Sequence, residues 1–308
     1  MTENRICISV IGCGNVGNAL ALLLLNRSKQ PVDLNIMEPD NRNDGRILEL
    51  QHIAALYGSH TVSKNSGEKL LDAQVVFHTA GAGKKITKDR MEVAEDNVRL
   101  TRELFLGTKF KYSPYIVVLS NPVDIITYFV QHYTSAAPGK VFGTGTMLDS
   151  ARLSSLLVER GYTTKPIRAF VVGEHGNTMV PLFSRIREIT LHSDQQKHLE
   201  QETIYAAQRI KQTQDATSTG VASCALFLMD YLLKKDRSTP FSYPVCCQTD
   251  KTLNTFLGLK ESIALSWFYT TNGKSYFPFA CNSKEMSALK NSANYVSEVI
   301  RQLKEKGY

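Results

Sequence analysis

No run of apolar residues in this 308-residue chain approaches the roughly 18 to 20 needed to span a bilayer. The tightest, residues 19–25 (ALALLLL), reads as a buried helix, and no membrane partner is expected. Low-complexity tracts are absent too: hydrophobic residues make up 43% and charged residues 21%, and the 10 prolines and 19 glycines are dispersed, which excludes a disordered or fibrous chain. Cysteine is scarce. The six thiols, two of them adjacent at Cys246 and Cys247, show neither metal-ligand nor disulfide-framework spacing, so no metal is expected and a reducing cytoplasm is the expected setting. The opening MTENR runs straight into ICISVI without a separate hydrophobic region and cleavage site, so no secretory signal is expected. A formal net charge of +7 favours anionic partners, but lysines and arginines are scattered rather than striped with aromatics. That pattern speaks against nucleic acid and for a small anionic ligand.

What is present is an alternation. Strand-like residues 6–11 meet a glycine-rich 12–17 and a helical 18–26; a second strand at 32–37 ends at Glu38, and helical spacing follows over 45–56. Further strands are predicted at 75–79, 115–119 and 141–142, with helices at 92–107 and 122–131 between them. Strand, helix, strand in this order is the pattern of a parallel, doubly wound α/β sheet, the Rossmann arrangement. After 146 the texture changes to a helix at 149–160, a strand at 168–172, a long polar helix at 195–214, strand-like pieces and a closing helix near 286–306. The length fits two units of about 150 residues. We expect a nucleotide-binding domain over 1–143 and an α+β substrate domain over 144–308.

The segment GCGNVG matches G-x-G-x-x-G with a strand before it, a helix after it and an acidic residue closing the next strand. Gly12, Gly14 and Gly17 would permit the tight turn and bring a pyrophosphate to unpaired N–H groups at a helix N-terminus. Glu38 would accept hydrogen bonds from a ribose diol and repel a 2′-phosphate, which favours NAD over NADP. Arg42 pulls the other way, since an arginine there can accept that phosphate, and a plain surface carboxylate is the bland reading of Glu38. Asp149 and Arg152 stand three apart on a helix and so share a face; a surface ion pair worth little is the bland alternative. His175 lies between two glycines at the end of an apolar run, in VVGEHGNT.

Taken in order, GCGNVG, the strand-end Glu38, TAGAGKK…DR, SNPVD, GTMLDSAR and GEHG resemble the lactate/malate dehydrogenase family, well over residues 5–180 and loosely beyond. The resemblance implies an NAD-dependent L-2-hydroxy acid dehydrogenase. His175 would then be the proton donor and acceptor, Asp149 would orient its imidazole, and Arg152 would grip the substrate carboxylate. Arg90 would fall on the mobile-loop arginine that polarises the reacting carbonyl, and Asn121 on the asparagine near substrate and nicotinamide. Asn15, Val16, Thr79, Ala80, Gly81 and Asn97 would line the cofactor with the three glycines. A homodimer or homotetramer is implied, with the 45–56 helix a plausible interface element.

Departures from the family pattern bear on the substrate. The loop position that separates lactate from malate enzymes holds Lys84, a cation that could pair with a second carboxylate and so leans toward oxaloacetate, although lysine lacks the arginine fork. Thr217, across the pocket, aligns with a threonine usual in lactate enzymes. Ile86 and Thr87 replace the common Pro-Gly of the loop, Asn177 replaces an aspartate and Asp215 a glycine. Besides a malate-leaning dehydrogenase, the alternatives are an L-lactate dehydrogenase and an NAD-binding relative weakened in turnover that serves as a sensor or interaction protein. A metal-dependent glycosidase on the same plan is disfavoured by GEHG paired with LDSAR.

Overall fold

The computed structural model describes residues 5–65, 67–83, 90–134, 136–214, 216–278 and 281–308, without the side chains of residues 68, 69 and 90. Lys84, Ile86, Thr87 and Asp215 therefore lie outside the described residues.

The first half alternates as its sequence predicts. Strands β1 (Ile6–Ile11), β2 (Val32–Met37) and β3 (Thr61–Asn65) are separated by helices α1 (Asn15–Arg27) and α2 (Asp44–Tyr57). Strands β4 (Val75–His78), β5 (Tyr115–Val118) and β6 (Val141–Gly143) follow, with α3 (Arg90–Phe105) and α4 (Val123–Tyr133) between them. The six strands lie side by side in the order β3-β2-β1-β4-β5-β6 and are all parallel. Reversal of the winding direction between β1 and β4 opens a crevice at the carboxyl ends of the strands, where such sheets bind ligands. Ile8, Val10, Leu34, Ile36, Val76, Phe77 and Val117 have no exposed surface, because helices cover both faces, and this is why the central strands read as unbroken apolar runs. The edge strand β3, TVSKN, carries too little apolar character to be read from sequence, and its polar residues suit an edge.

The second half is α5 (Met147–Glu159), the two-stranded pair β7 (Val171–Val172) and β8 (Val180–Pro181), α6 (Ser193–Lys211), α7 (Thr219–Leu232), β9 (Val245–Gln248), α8 (Lys251–Leu257), β10 (Ala264–Trp267) and α9 (Ser283–Glu305). Strands β9 and β10 extend the first sheet antiparallel on the β6 side, Phe142 opposite Cys247 and Gly143 opposite Cys246. A continuous sheet thus crosses the boundary drawn at Gly143. Helix α7 is apolar almost all round and packs on α1, so it carried no one-sided periodicity to betray it. A second, smaller core of Leu153, Leu157, Ala169, Val171 and Leu199 fastens α5, β7 and α6 together. Among the described residues no helix is long and apolar enough to cross a membrane.

Candidate active site

At the carboxyl ends of β1, β4 and β5 three turns are drawn into contact. Gly12 has φ +90, and an added Cβ would meet the Ala80 backbone at 3.0 Å; at Gly17 it would meet the Gly12 carbonyl oxygen at 2.0 Å. Only glycine fits either place, and the fit seats α1 directly on the turn. Thr79 Oγ1 donates to the carbonyls of Ile11 and Gly12, both at 2.9 Å, and Ser120 Oγ donates to those of His78 and Ala80. Asn97 ties the third edge: its Oδ1 accepts from the Ala82 N–H and its Nδ2 donates to the Asn121 carbonyl, each at 2.7 Å. The geometry therefore gathers Thr79, Ala80, Gly81, Asn97 and Asn121 around the turn.

This cradle fits a dinucleotide. A Cβ on Gly14 would meet nothing within 4 Å, and Gly14 as N-cap of α1 leaves the first turn without a side-chain cap or an acidic residue. The N–H groups of Asn15, Val16 and Gly17 are thus available to a phosphate. Glu38 is buried at the end of β2; its Oε2 accepts from the Cys13 N–H and Asn43 Nδ2, both at 2.8 Å, and no hydrogen bond to Oε1 is found among the described residues. One carboxylate oxygen braces the turn and the other can take a ribose hydroxyl. Arg42, the residue that could admit a 2′-phosphate, is ion-paired with Asp40.

The acid/base candidates assemble around α5. Asp149 sits fully buried in the first turn of α5, where the helix dipole favours its charge. Its Oδ2 receives His175 Nδ1 at 2.6 Å and its Oδ1 receives Arg152 Nη1 at 2.9 Å. Burial alone would raise the Asp149 pKa, but the charges and hydrogen bonds of His175 and Arg152 overcome it and hold the carboxyl below its ordinary value. For His175 burial pulls downward, and the Asp149 charge and hydrogen bond outweigh it, leaving the imidazole above its ordinary range. His175 is 26% exposed and Arg152 12%. With Nδ1 committed to Asp149, Nε2 is the nitrogen left to face a ligand.

Three elements clamp the GEHG turn, and a fourth holds the strand that leads into it. Gly173, at φ +88, exchanges backbone hydrogen bonds with Ser266 of β10, and the Glu174 N–H donates to Ser292 Oγ of α9 at 2.8 Å. The His175 N–H donates to Asp124 Oδ2 at 2.7 Å, and Ser150 Oγ of α5 accepts from the Val171 N–H at 2.9 Å. Glu174 in turn accepts from the Thr178 N–H and hydroxyl. Burial, with the nearby Glu174 charge, pushes Asp124 up to about 6. Asp124 lies three residues past Asn121, so a single β5–α4 turn joins the cradle to the His175 turn. Asp124 and Glu174 stand within SNPVD and GEHG, but their supporting roles depend on partners far away in sequence and were not read from it. Ser150 stands within GTMLDSAR in the same way, whereas Ser266 and Ser292 gave no signal at all.

Arg90 opens α3, its side chain outside the described set. Thr217 is half-buried just before α7, whose Gly220 abuts Leu148 and whose Cys224 lies in the field of Asp149 and Arg152. The threonine segment therefore runs beside α5. None of the six cysteines forms a disulfide.

Comparison with known proteins identifies the family and the fold. Residues 6–143 match the family model for the NAD binding domain of lactate/malate dehydrogenase, and residues 146–306 match that for the alpha/beta C-terminal domain. The cofactor of such a domain is NAD. An L-lactate dehydrogenase of Fervidobacterium nodosum is 34% identical over 180 residues, which span 58% of this chain and only 58% of that relative. The solved L-lactate dehydrogenase of Clostridium thermocellum superimposes with TM-score 0.77 at 26% identity, covering 97% of this chain and 99% of that one. The NADH complex of the Archaeoglobus fulgidus malate dehydrogenase superimposes with TM-score 0.81, covering 98% and 100%, and at 22% identity it speaks to the fold alone.

Proposed function

Because the chain belongs to the lactate/malate dehydrogenase family, we propose that it moves a hydride reversibly between NAD(H) and an L-2-hydroxy acid and its 2-keto partner. The observation that carries this reading is the shared carboxylate: Asp149 holds His175 Nδ1 and Arg152 at once, so an acid/base nitrogen and a carboxylate-binding fork face the same space. NAD, when bound, supplies the hydride chemistry. The chain supplies position, charge and the proton.

His175 Nε2 delivers a proton to the keto oxygen in reduction and retrieves it in oxidation; Asp149 stabilises the imidazolium from which it leaves. Arg152 orients the substrate through charge-assisted hydrogen bonds to its C1 carboxylate, which contribute about 1.5 to 3 kcal/mol each. Asn121, whose backbone is tied to Asn97, serves where substrate meets nicotinamide. Arg90 is assigned to polarise the reacting carbonyl, an interaction that gains strength where water is excluded. A sensor without turnover would need a broken relay, whereas its His175, Asp149 and Arg152 members stand in bonded order.

For the substrate, the 34% and 26% identical relatives, both L-lactate dehydrogenases, and the position of Thr217 favour pyruvate and lactate. The lean toward malate rests on Lys84 alone, and the comparisons lend it no support. An oxaloacetate enzyme stays the second reading on that cation. Absorbance of NADH followed with pyruvate, oxaloacetate, phenylpyruvate and branched-chain 2-keto acids tests both: oxidation with none of them ends the dehydrogenase reading, and an unchanged preference in Lys84→Gln removes Lys84 as selector. A homo-oligomer with α2 at its interface belongs to the same proposal, supported by exposed Leu48, Leu56 and Tyr57 on that helix. Sedimentation showing a monomer at micromolar concentration would end it.

A further inference from the structure

The Cys13 peptide of the 12–17 turn is held from both sides. Its N–H goes to Glu38 Oε2, and its carbonyl accepts from Arg46 Nη1 at 3.2 Å. Arg46 stands in the first turn of α2, and its Nη2 also donates to Asn15 Oδ1 at 2.7 Å. One guanidinium therefore spans the turn and the first residue of α1, the two parts that receive a dinucleotide pyrophosphate. No acidic side chain of α1's first turn competes for that position. Bonds to Cys13 and Asn15 occupy one N–H on each terminal nitrogen, and a guanidinium has five N–H groups. Charge and hydrogen-bonding capacity both remain for an anion.

We propose that Arg46 is a positioning residue for the cofactor: its guanidinium holds the 12–17 turn from the α2 side and gives the bound pyrophosphate a fixed countercharge. The inference rests on the NAD reading of this domain. It assigns the cation for the phosphates to α2, an element that follows the ribose-binding Glu38, so one short stretch of chain recognises two parts of the dinucleotide. The Arg46 fork matters as much as its charge, because it reaches a carbonyl and an amide together.

The test compares binding of NADH, ADP and adenosine to the parent, Arg46→Gln, Arg46→Lys and Asn15→Ala, by NADH fluorescence and competition at low and high salt. Arg46→Gln is expected to weaken NADH and ADP about tenfold at low salt, with a smaller loss at high salt, and adenosine less than about twofold. Arg46→Lys is expected to recover part of the loss, and Asn15→Ala, at an exposed residue, to loosen the clamp from its other end by about threefold. NADH binding within about twofold of the parent in Arg46→Gln overturns the proposal, as does an equal loss for adenosine and ADP, which would leave Arg46 only a shape-keeping role. A parent chain that binds no NADH overturns the NAD reading itself, an outcome distinct from either.

Discussion

At the 12–17 turn the absence of side chains on glycines shapes the site, whereas around His175 the charges that side chains carry do so. Gly12 and Gly17 matter for what they lack: any Cβ at Gly17 would sit 2.0 Å from a carbonyl oxygen. Asp149, His175, Arg152, Asp124 and Glu174 matter for what they carry, and the bonds of Asp149 and Asp124 to His175 join separate elements. The first region is shaped for a ligand by close backbone approach and by a helix N-terminus. The second converts burial into pKa shifts and so depends on pH. The difference teaches where each kind of damage will show: in the cradle as lost fit, and around His175 as lost chemistry.

The sharpest way to break the comparison is His175→Asn, which removes the acid/base nitrogen and nothing from the cradle. A loss of about a hundred- to ten-thousandfold in kcat is expected with NADH affinity nearly unchanged, read by stopped-flow absorbance and fluorescence titration. Retained turnover would refute the role assigned to His175. Asp149→Asn should cost about a hundredfold in kcat and move the alkaline limb of keto acid reduction to lower pH, since the charge that lifts His175 is gone. The same pair predicts a stability window. The lowered Asp149 contributes above the unfolded carboxyl value near 3.8 and is lost as pH falls through its folded pKa. The raised His175 contributes fully below about 6.5 and is lost as pH rises through its own folded pKa. Urea midpoints of parent minus Asp149→Asn should therefore peak between about pH 4 and 6.5; a flat difference would deny the pairing.

In the cradle, Gly17→Ala is expected to destabilise by about 1 to 3 kcal/mol through forced overpacking. Gly14→Ala, with open space around its Cβ, should leave stability within about 0.5 kcal/mol and still weaken NADH by blocking the pyrophosphate. Equal urea midpoints for the two variants would dissolve the distinction between packing glycine and binding glycine. A pH-dependent effect belongs to Asp124. Its carboxyl is raised from 3.8 to about 6, so the native state pays for its charge above that pH, and Asp124→Asn should gain about 1 to 3 kcal/mol at pH 8 with no gain near pH 4. If the variant and parent show the same pH dependence between those values, Asp124 is not the titrating group.

By itself the sequence determined the alternating fold and the glycine turn closed by Glu38, because periodicity and local motifs report what neighbouring residues do together; Asp149, Arg152 and His175 were singled out by the resemblance of their motifs to a family. It was blind to β3, whose polar edge lacks alternation, and to α7, whose apolar residues face all round. Only the tertiary structure decided that two strands from the second half complete the first sheet, that Ser266, Ser292 and Asp124 clamp the GEHG turn, and that Arg46 spans the nucleotide turn from the next helix. Those are meetings between residues far apart along the chain. Their partners are chosen by packing and hydrogen-bond satisfaction in three dimensions, and a linear pattern does not record them.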